Sequence, residues 1–241
     1  MEDFLVVVPA RLGSTRLPNK PLKVLAGKPL IRWVVENLVR EGFKVLVAAD
    51  SQKVAEVVRD LAEVILTPPE LPSGSDRVAY ALRKRGFFPP FVVNYQGDEP
   101  FVYREDLERL VKALREGAEV ATLATPIADE ETFRDPNAVK VVLDQRDFAL
   151  YFSRSPIPYP RSGFFTSPLK HVGVYAFRTE VLFKFTEADP TPLERTEGLE
   201  QLRLLENGYR IRVILTENYY RGVDTEADAR EVERVLKKLY G

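Results

Sequence analysis

Arg11, Arg16 and Lys20 place three cations within ten positions of one another in Pro9-Ala10-Arg11-Leu12-Gly13-Ser14-Thr15-Arg16-Leu17-Pro18-Asn19-Lys20-Pro21. Guanidinium groups offer forked donors to phosphate oxygens, and an ammonium offers a compact charge. Ser14 and Thr15 add hydroxyl donors, and Gly13 lets the backbone approach an anion. The set suits a polyphosphate, although a solvated basic loop has the same composition. The stretch holds a single glycine, so it is neither the G-x-x-x-x-G-K-[ST] loop of many ATPases nor the G-x-G-x-x-G turn of dinucleotide enzymes. Both absences argue against those classes.

Two carboxylates could complement these cations. Asp98 follows an apolar run directly, in Gln96-Gly97-Asp98-Glu99-Pro100. A carboxylate beside phosphate-binding cations is explained by a bridging Mg²⁺, which takes oxygen ligands, usually one or two carboxylates with phosphates and waters. A turn aspartate bonding its own backbone reads the same way. Asp224 is the natural second ligand. Thr225-Glu226-Ala227-Asp228 reads as a capping box, which leaves Asp224 free if Thr225 is the cap; Asp224 as the cap is the alternative.

These residues need a scaffold that delivers them to one edge. Phe4–Val8, Lys44–Ala49, Glu63–Thr67, Phe91–Tyr95 and Glu119–Ile127 are apolar runs of strand length. Helical periods at Pro29–Arg40, Gln52–Leu61, Asp76–Arg85 and Arg104–Glu116 separate them. Pro29 fits a first helical turn and Gly42 a stop. Solid apolar strands alternating with helices imply an α/β fold with a doubly wound, mostly parallel sheet. The stretch after the first strand then sits at the carboxyl edge, where open α/β sheets bind ligands. Its length, about 20 residues before the next clear helix, exceeds the usual few. The second half is less regular. Ala138–Leu143, His171–Phe177 and Tyr209–Leu215 read as strands, Leu193–Glu206 and Glu226–Leu239 as helices, and Ser153–Pro168 as an excursion into a smaller lobe. The expectation is a single domain over 1–241 with two halves, 1–128 and 129–241.

Composition narrows the partners. The 241 residues carry 35 Lys and Arg against 36 Asp and Glu, so no basic excess argues for nucleic acid. The absence of cysteine excludes disulfides and thiolate zinc sites. The acidic start Met1-Glu2-Asp3 is unlike a signal peptide, and no apolar stretch approaches bilayer-spanning length. A cytoplasmic protein without a membrane partner is expected.

The run Val7–Lys20, with Ser-Thr-Arg-Leu-Pro-Asn-Lys inside it, resembles the signature loop of nucleotidyltransferases that activate acidic sugars with CTP. It is most similar to the 3-deoxy-manno-octulosonate (KDO) cytidylyltransferases. Further stretches match in order: Ser73-Gly74-Ser75-Asp76-Arg77, Asn94 to Pro100, Asn137 to Val142, Leu150 to Arg154, Pro192-Leu193-Glu194, and Gly222-Val223-Asp224-Thr225. The resemblance runs from Val6 to about Asp228.

It implies a nucleotidyltransferase that moves CMP from CTP to the anomeric hydroxyl of KDO with release of pyrophosphate, in lipopolysaccharide biosynthesis. Attack falls on the α-phosphorus, with Mg²⁺ as cofactor on Asp98 and Asp224. The resemblance assigns CTP contacts to Ala10, Arg11, Ser14, Arg16, Lys20, Ser73, Gly74, Arg77 and Gln96, the last two near base or ribose. Arg11, Arg16 and Lys20 join the two aspartates as catalytic. From the residues alone, Ser75 as a helix cap accounts for part of the Ser73–Arg77 stretch. The sugar side is assigned to Gln96, Arg154, His171, Tyr175, Glu197 and Gln201. On composition alone a lone histidine is more often structural, and Glu197 with Gln201, four apart, is more often a solvated helix face. Tyr175, four beyond His171, would share its strand face. The family also implies that 1–128 is the nucleotide-binding half and 129–241 the sugar-binding and dimerisation half, with a homodimer that has Ser153–Pro168 near its interface. Cytidylyltransferases for a sialic acid or an amino analogue of KDO are the nearest alternatives. Uridylyl- and thymidylyltransferases usually carry a G-x-G-T-R loop that is missing here, and a non-catalytic nucleotide sensor has no need of two aspartates.

Overall fold

A computed structural model describes residues 3–13, 17–161 and 168–240. In chain order the strands are β1 Phe4–Ala10, β2 Val24–Leu25, β3 Lys28–Pro29, β4 Val45–Ala49, β5 Glu63–Leu66, β6 Phe91–Asn94, β7 Val120–Pro126, β8 Lys140–Leu143, β9 Ala149–Ser153, β10 Leu169–Arg178 and β11 Ile211–Leu215. The helices are α1 Leu30–Arg40, α2 Gln52–Val58, α3 Gly74–Arg85, α4 Arg104–Arg115, α5 Glu130–Arg134, α6 Thr179–Glu187, α7 Pro192–Glu197, α8 Gln201–Glu206 and α9 Glu226–Tyr240. They form two compact units, one of Met1–Arg104 with Tyr219–Gly241, the other of Glu105–Asn218. Asp224 therefore shares a unit with Asp98.

In the first unit β1 pairs in parallel with β4 on one side and β6 on the other, and β4 pairs in parallel with β5. The spatial order β6-β1-β4-β5 reverses direction between β1 and β6. Right-handed crossovers then send α1 and α2 to one face and α3 to the other, and α1 does pack beside α2. Solid apolar strands suit this burial: Val6, Val7 and Val8 are all fully enclosed. The reversal opens a crevice at the carboxyl ends of β1 and β6, the general ligand position in such sheets.

The long connection after β1 is not structureless. A 3₁₀ turn at Lys20–Leu22 follows Asn19, which has φ 55°. The β2–β3 hairpin then turns through Ala26 and Gly27, at φ 46° and 82°, the sign of φ a two-residue hairpin requires. Pro29 belongs to this hairpin, with extended ψ 144°, and α1 starts one residue later than the sequence suggests. Leu17, Leu25, Leu30, Trp33, Phe101, Val223, Ala229, Val232 and Leu236 form one buried cluster. It gathers the first loop, the hairpin and α9, at about 1.5–3 kcal/mol for each large side chain buried. The Trp33 indole N–H donates to the Leu25 carbonyl at 2.7 Å.

In the second unit β7 pairs with β11 in parallel and with β10 antiparallel. The β8–β9 hairpin adds antiparallel to β10. The single helix expected over Leu193–Glu206 is two, because Gly198 at φ 64° ends α7 and its N–H returns to the Glu194 carbonyl at 2.8 Å. Strand β9 ends just before Arg154, where the sequence places a strand end, and helices α5 and α6 are additions to the sequence reading.

Candidate active site

The first loop and both aspartates meet in the first unit. Gln96-Gly97-Asp98 leaves β6 in close contact with the end of β1. A Cβ on Gly97 would lie 2.7 Å from the Pro9 carbonyl oxygen, so only glycine lets this turn approach. A Cβ on Gly74 would lie 3.4 Å from Pro9 and 3.8 Å from the Gln96 amide oxygen. Pro9, Gly74 and Gln96 are thus neighbours at the crevice, with Ala10 next in the chain, and the N-terminus of α3 opens there. Ser73 caps that helix, its hydroxyl accepting the Asp76 N–H at 3.2 Å. The cap is Ser73 and not Ser75, which is buried and instead accepts from the Asn94 amide at 3.3 Å.

Lys20 joins the two carboxylates. Its ammonium donates to Asp98 Oδ2 and, at 3.0 Å, to Asp224 Oδ1. Burial works against the charge on Lys20, but Asp98 and Asp224 outweigh it and hold the pKa above its ordinary value. The side chain stays an ammonium at neutral pH. Asp98 keeps a quarter and Asp224 half of its side-chain surface exposed.

The return segment before α9 is fixed by several bonds. The Val223 N–H donates to the Asp98 carbonyl at 3.0 Å. The Arg221 N–H donates to the Glu99 carboxylate at 3.1 Å. Thr225 caps α9: its hydroxyl accepts the Asp228 N–H at 3.2 Å, and Asp228 accepts the Thr225 N–H at 2.9 Å. Asp228 also accepts the Asp224 N–H at 3.2 Å and pairs with the Arg221 guanidinium at 2.7 Å. The capping box expected from sequence is present, and the Asp224 carboxylate is left to face Lys20.

A divalent cation fits this donor set. Two carboxylates from separate loops converge on one positive charge, all their donors are oxygens, and both retain exposure through which water and phosphate could complete a coordination shell. Among the described residues no group of three acidic or histidine side chains gathers, so the pair would rely on substrate or water for the rest.

The remaining nucleotide candidates divide. Arg11 is exposed at the end of β1. The next residue, Leu12, donates its N–H to both Asp50 carboxylate oxygens at 3.2 and 3.1 Å, a tether the sequence reading missed. Ser14 and Arg16 lie outside the described residues. Arg77 is enclosed, its guanidinium bonded to the Thr67 hydroxyl and the Pro68 carbonyl. It braces the 67–69 turn from within the wall, and burial lowers its pKa.

In the second unit the sugar candidates form two neighbouring groups. Glu197 accepts from the Ser153 hydroxyl at 2.6 Å and the Arg154 N–H at 2.9 Å. The Arg154 guanidinium is bonded to the carbonyls of Glu197, Pro136 and Gly198 at 2.8, 3.0 and 3.3 Å. Its donors hold the end of α7. Burial acts to raise the Glu197 pKa, but these hydrogen bonds prevail and lower it. Glu197 and Gln201 do not share a helix face: Glu197 ends α7 and Gln201, buried, begins α8.

His171 and Tyr175 do share a strand face. Four residues of regular strand span about 13 Å, yet their rings lie 5.2 Å apart. A bulge between Val172 and Tyr175 explains it, since His171 pairs with Ala124 and Tyr175 with Thr122. The Thr122 hydroxyl stabilises the bulge, lying 3.2 and 2.9 Å from the Val172 and Val174 carbonyls and 3.0 Å from His171 Nε2. Burial pushes the His171 pKa down to about 3, so the ring is neutral at physiological pH. Burial also raises the Tyr175 pKa. The ring of His171 packs edge-on against Phe152 at 5.1 Å, which links the two groups.

The cytidylyltransferase family model matches residues 5–211. The 3-deoxy-manno-octulosonate cytidylyltransferase of Chlorobium chlorochromatii (strain CaD3) is 44% identical over 246 residues, which cover 99% of this chain and 98% of its own. The chain belongs to the 3-deoxy-manno-octulosonate cytidylyltransferase family. Another cytidylyltransferase of that name, from Francisella tularensis subsp. holarctica (strain LVS), is 41% identical and covers 98% of this chain and 99% of its own. A solved CMP:2-keto-3-deoxy-manno-octonic acid synthetase complexed with CTP superposes with a TM-score of 0.91 at 38% identity, covering 99% of this cytidylyltransferase and all of that chain. The α/β fold and the nucleotidyltransferase class expected from the sequence are those of this family. No described helix of this cytidylyltransferase is long and apolar enough to cross a membrane.

Proposed function

We propose that the protein transfers CMP from CTP to the anomeric hydroxyl of KDO, giving CMP-KDO and pyrophosphate. The observation that carries this reading is the meeting of Asp98 and Asp224 at the Lys20 ammonium, in a chain of this family matched over nearly its whole length. The crevice between β1 and β6 is the place for CTP. Arg11, Arg16 and Lys20 neutralise the triphosphate and the departing pyrophosphate. Gln96 and the start of α3 border the nucleotide, and Arg77 supports that wall from inside. The hydroxyl attacks the α-phosphorus in line with the leaving pyrophosphate, a reaction in which positioning and charge stabilisation do most of the work.

Asp98 and Asp224 would hold Mg²⁺, which when bound supplies charge neutralisation and a more acidic hydroxyl. For the sugar acid, Glu197 is an acceptor fixed by Ser153 and Arg154, and neutral His171 and Tyr175 are hydrogen-bonding groups. With its pKa pushed down to about 3 by burial, the His171 ring carries no imidazolium proton to donate at pH 7 and is a weak proton acceptor, so its part is to hydrogen-bond. The protein works as a homodimer in the cytoplasm on this reading.

Pyrophosphate release from CTP, measured with KDO, its amino analogue and a sialic acid, each with and without Mg²⁺, tests the assignment. KDO should give the highest kcat/KM, with no release in the absence of Mg²⁺. A sialic acid turned over faster than KDO would overturn the sugar assignment, and undiminished release in EDTA would overturn the metal.

A further inference from the structure

Glu99 adjoins Asp98 in the Gln96–Pro100 stretch, and the reaction as described gives it no task. Only 6% of its surface is exposed. Its Oε1 accepts the Arg221 N–H at 3.1 Å, while the Asp98 carbonyl accepts the Val223 N–H at 3.0 Å. Two successive residues on one loop thus clasp two alternate residues on the other, immediately before Asp224. From the first turn of α9 Asp228 accepts the Asp224 N–H and holds the Arg221 guanidinium. The backbone that carries Asp224 is fixed on both flanks, and Glu99 is the clasp on the Asp98 side.

We propose that Glu99 is a positioning residue that sets the separation of the Asp98 and Asp224 carboxylates, acting as a hydrogen-bond acceptor and not through its charge. This rests on the metal-binding reading above. Groups one step removed from metal ligands commonly change metal affinity by about 10–100-fold when lost. Reach and charge can be separated at this position. Glu99→Gln keeps an acceptor oxygen at the same distance and removes the charge. Glu99→Asp keeps the charge and shortens the arm by about 1.5 Å, which leaves the Arg221 N–H out of bonding range.

The test is Mn²⁺ binding in the presence of CTP and absence of sugar, followed by electron paramagnetic resonance. It is combined with the Mg²⁺ activation constant, the KM for CTP at saturating Mg²⁺, and the thermal midpoint of each variant. Glu99→Asp should weaken Mn²⁺ binding about tenfold and raise the Mg²⁺ requirement in parallel, with the KM for CTP at saturating metal within about twofold of the parent. Glu99→Gln should stay within about threefold on every readout. The inference is overturned if Gln weakens the metal as much as Asp does, since charge would then be what matters. It also fails if both variants bind Mn²⁺ like the parent, or if neither folds, since Glu99 would then be part of the general framework. Asp98→Asn separates the two layers: Mn²⁺ binding unchanged in that variant refutes the metal reading itself, whatever Glu99 does.

Discussion

Lys20→Met removes the ammonium that holds Asp98 and Asp224 together and keeps a side chain of similar length. In the nucleotide-free protein a divalent cation must compete with that ammonium for the same oxygens. A hydrogen bond to a charged group contributes about 1.5–3 kcal/mol when well buried. Here the side chains of Lys20, Asp98 and Asp224 are 17%, 25% and 50% exposed, so solvent screening reduces the sum of both bonds to about 1–2 kcal/mol. Relief of that competition should tighten Mn²⁺ binding to the nucleotide-free variant by roughly five- to thirtyfold. Calorimetric titration with Mn²⁺, parent against variant, reads this directly. The same substitution should lower kcat about a hundredfold, because a charge that stabilises the phosphates is lost. Metal binding that is unchanged or weaker in Lys20→Met would refute the reasoning, since the lysine could not then be competing with the cation.

Asp98→Asn should abolish turnover at millimolar Mg²⁺ while leaving the thermal midpoint close to that of the parent; full activity in a steady-state assay would remove Asp98 from the site. Gly97→Ala forces a Cβ to within 2.7 Å of the Pro9 carbonyl. Because the obstacle is backbone, it should cost about 1–3 kcal/mol in urea unfolding, and a neutral result would mean the β1–β6 crevice is softer than its packing implies. His171 gives a pH signature. Its folded pKa, about 3, lies below the ordinary 6.5, so between those values the unfolded chain binds a proton that the folded chain does not. Stability is therefore lost as pH falls through this window. The residue keeps some exposure, which brings the full linkage value down to a few kcal/mol. His171→Gln should flatten the urea-midpoint profile between pH 6.5 and 4, and an unaltered slope would place the acid sensitivity elsewhere.

The parallel strands of the first unit were legible because burial on both faces demands uninterrupted apolar runs, and Val6–Val8 and Val45–Ala49 have little other reading. Asp98 and Asp224 could be singled out because each follows or precedes a recognisable boundary, a strand end and a capping box. Their meeting could not be read from composition. It depends on Val223 and Leu17 entering one apolar cluster, a tertiary event with no local signal. The break at Gly198 was missed because a lone glycine inside a helical period is compatible with either a weak helix or a stop. That miss undid the argument that Glu197 and Gln201 share a helix face. The bulge in β10 escaped for the opposite reason: the Thr122 hydroxyl that holds it belongs to another strand. Arg77 shows a third limit, since sequence identifies a guanidinium but not the carbonyls that consume it.

The two-part origin of the first unit has a consequence for synthesis. When a ribosome has released residues 1–104, all four parallel strands of that unit are present, yet only one of the two aspartates is. The other follows after the whole second unit has been translated, on the order of ten seconds later at ordinary elongation rates. Until then Lys20 has only Asp98 to bind, and the seats of Val223, Val232 and Leu236 beside Leu17 and Trp33 await their occupants. Nascent chains should therefore stay catalytically inert and exposed to chaperones over that interval, gaining the second carboxylate and a closed core in a single late step.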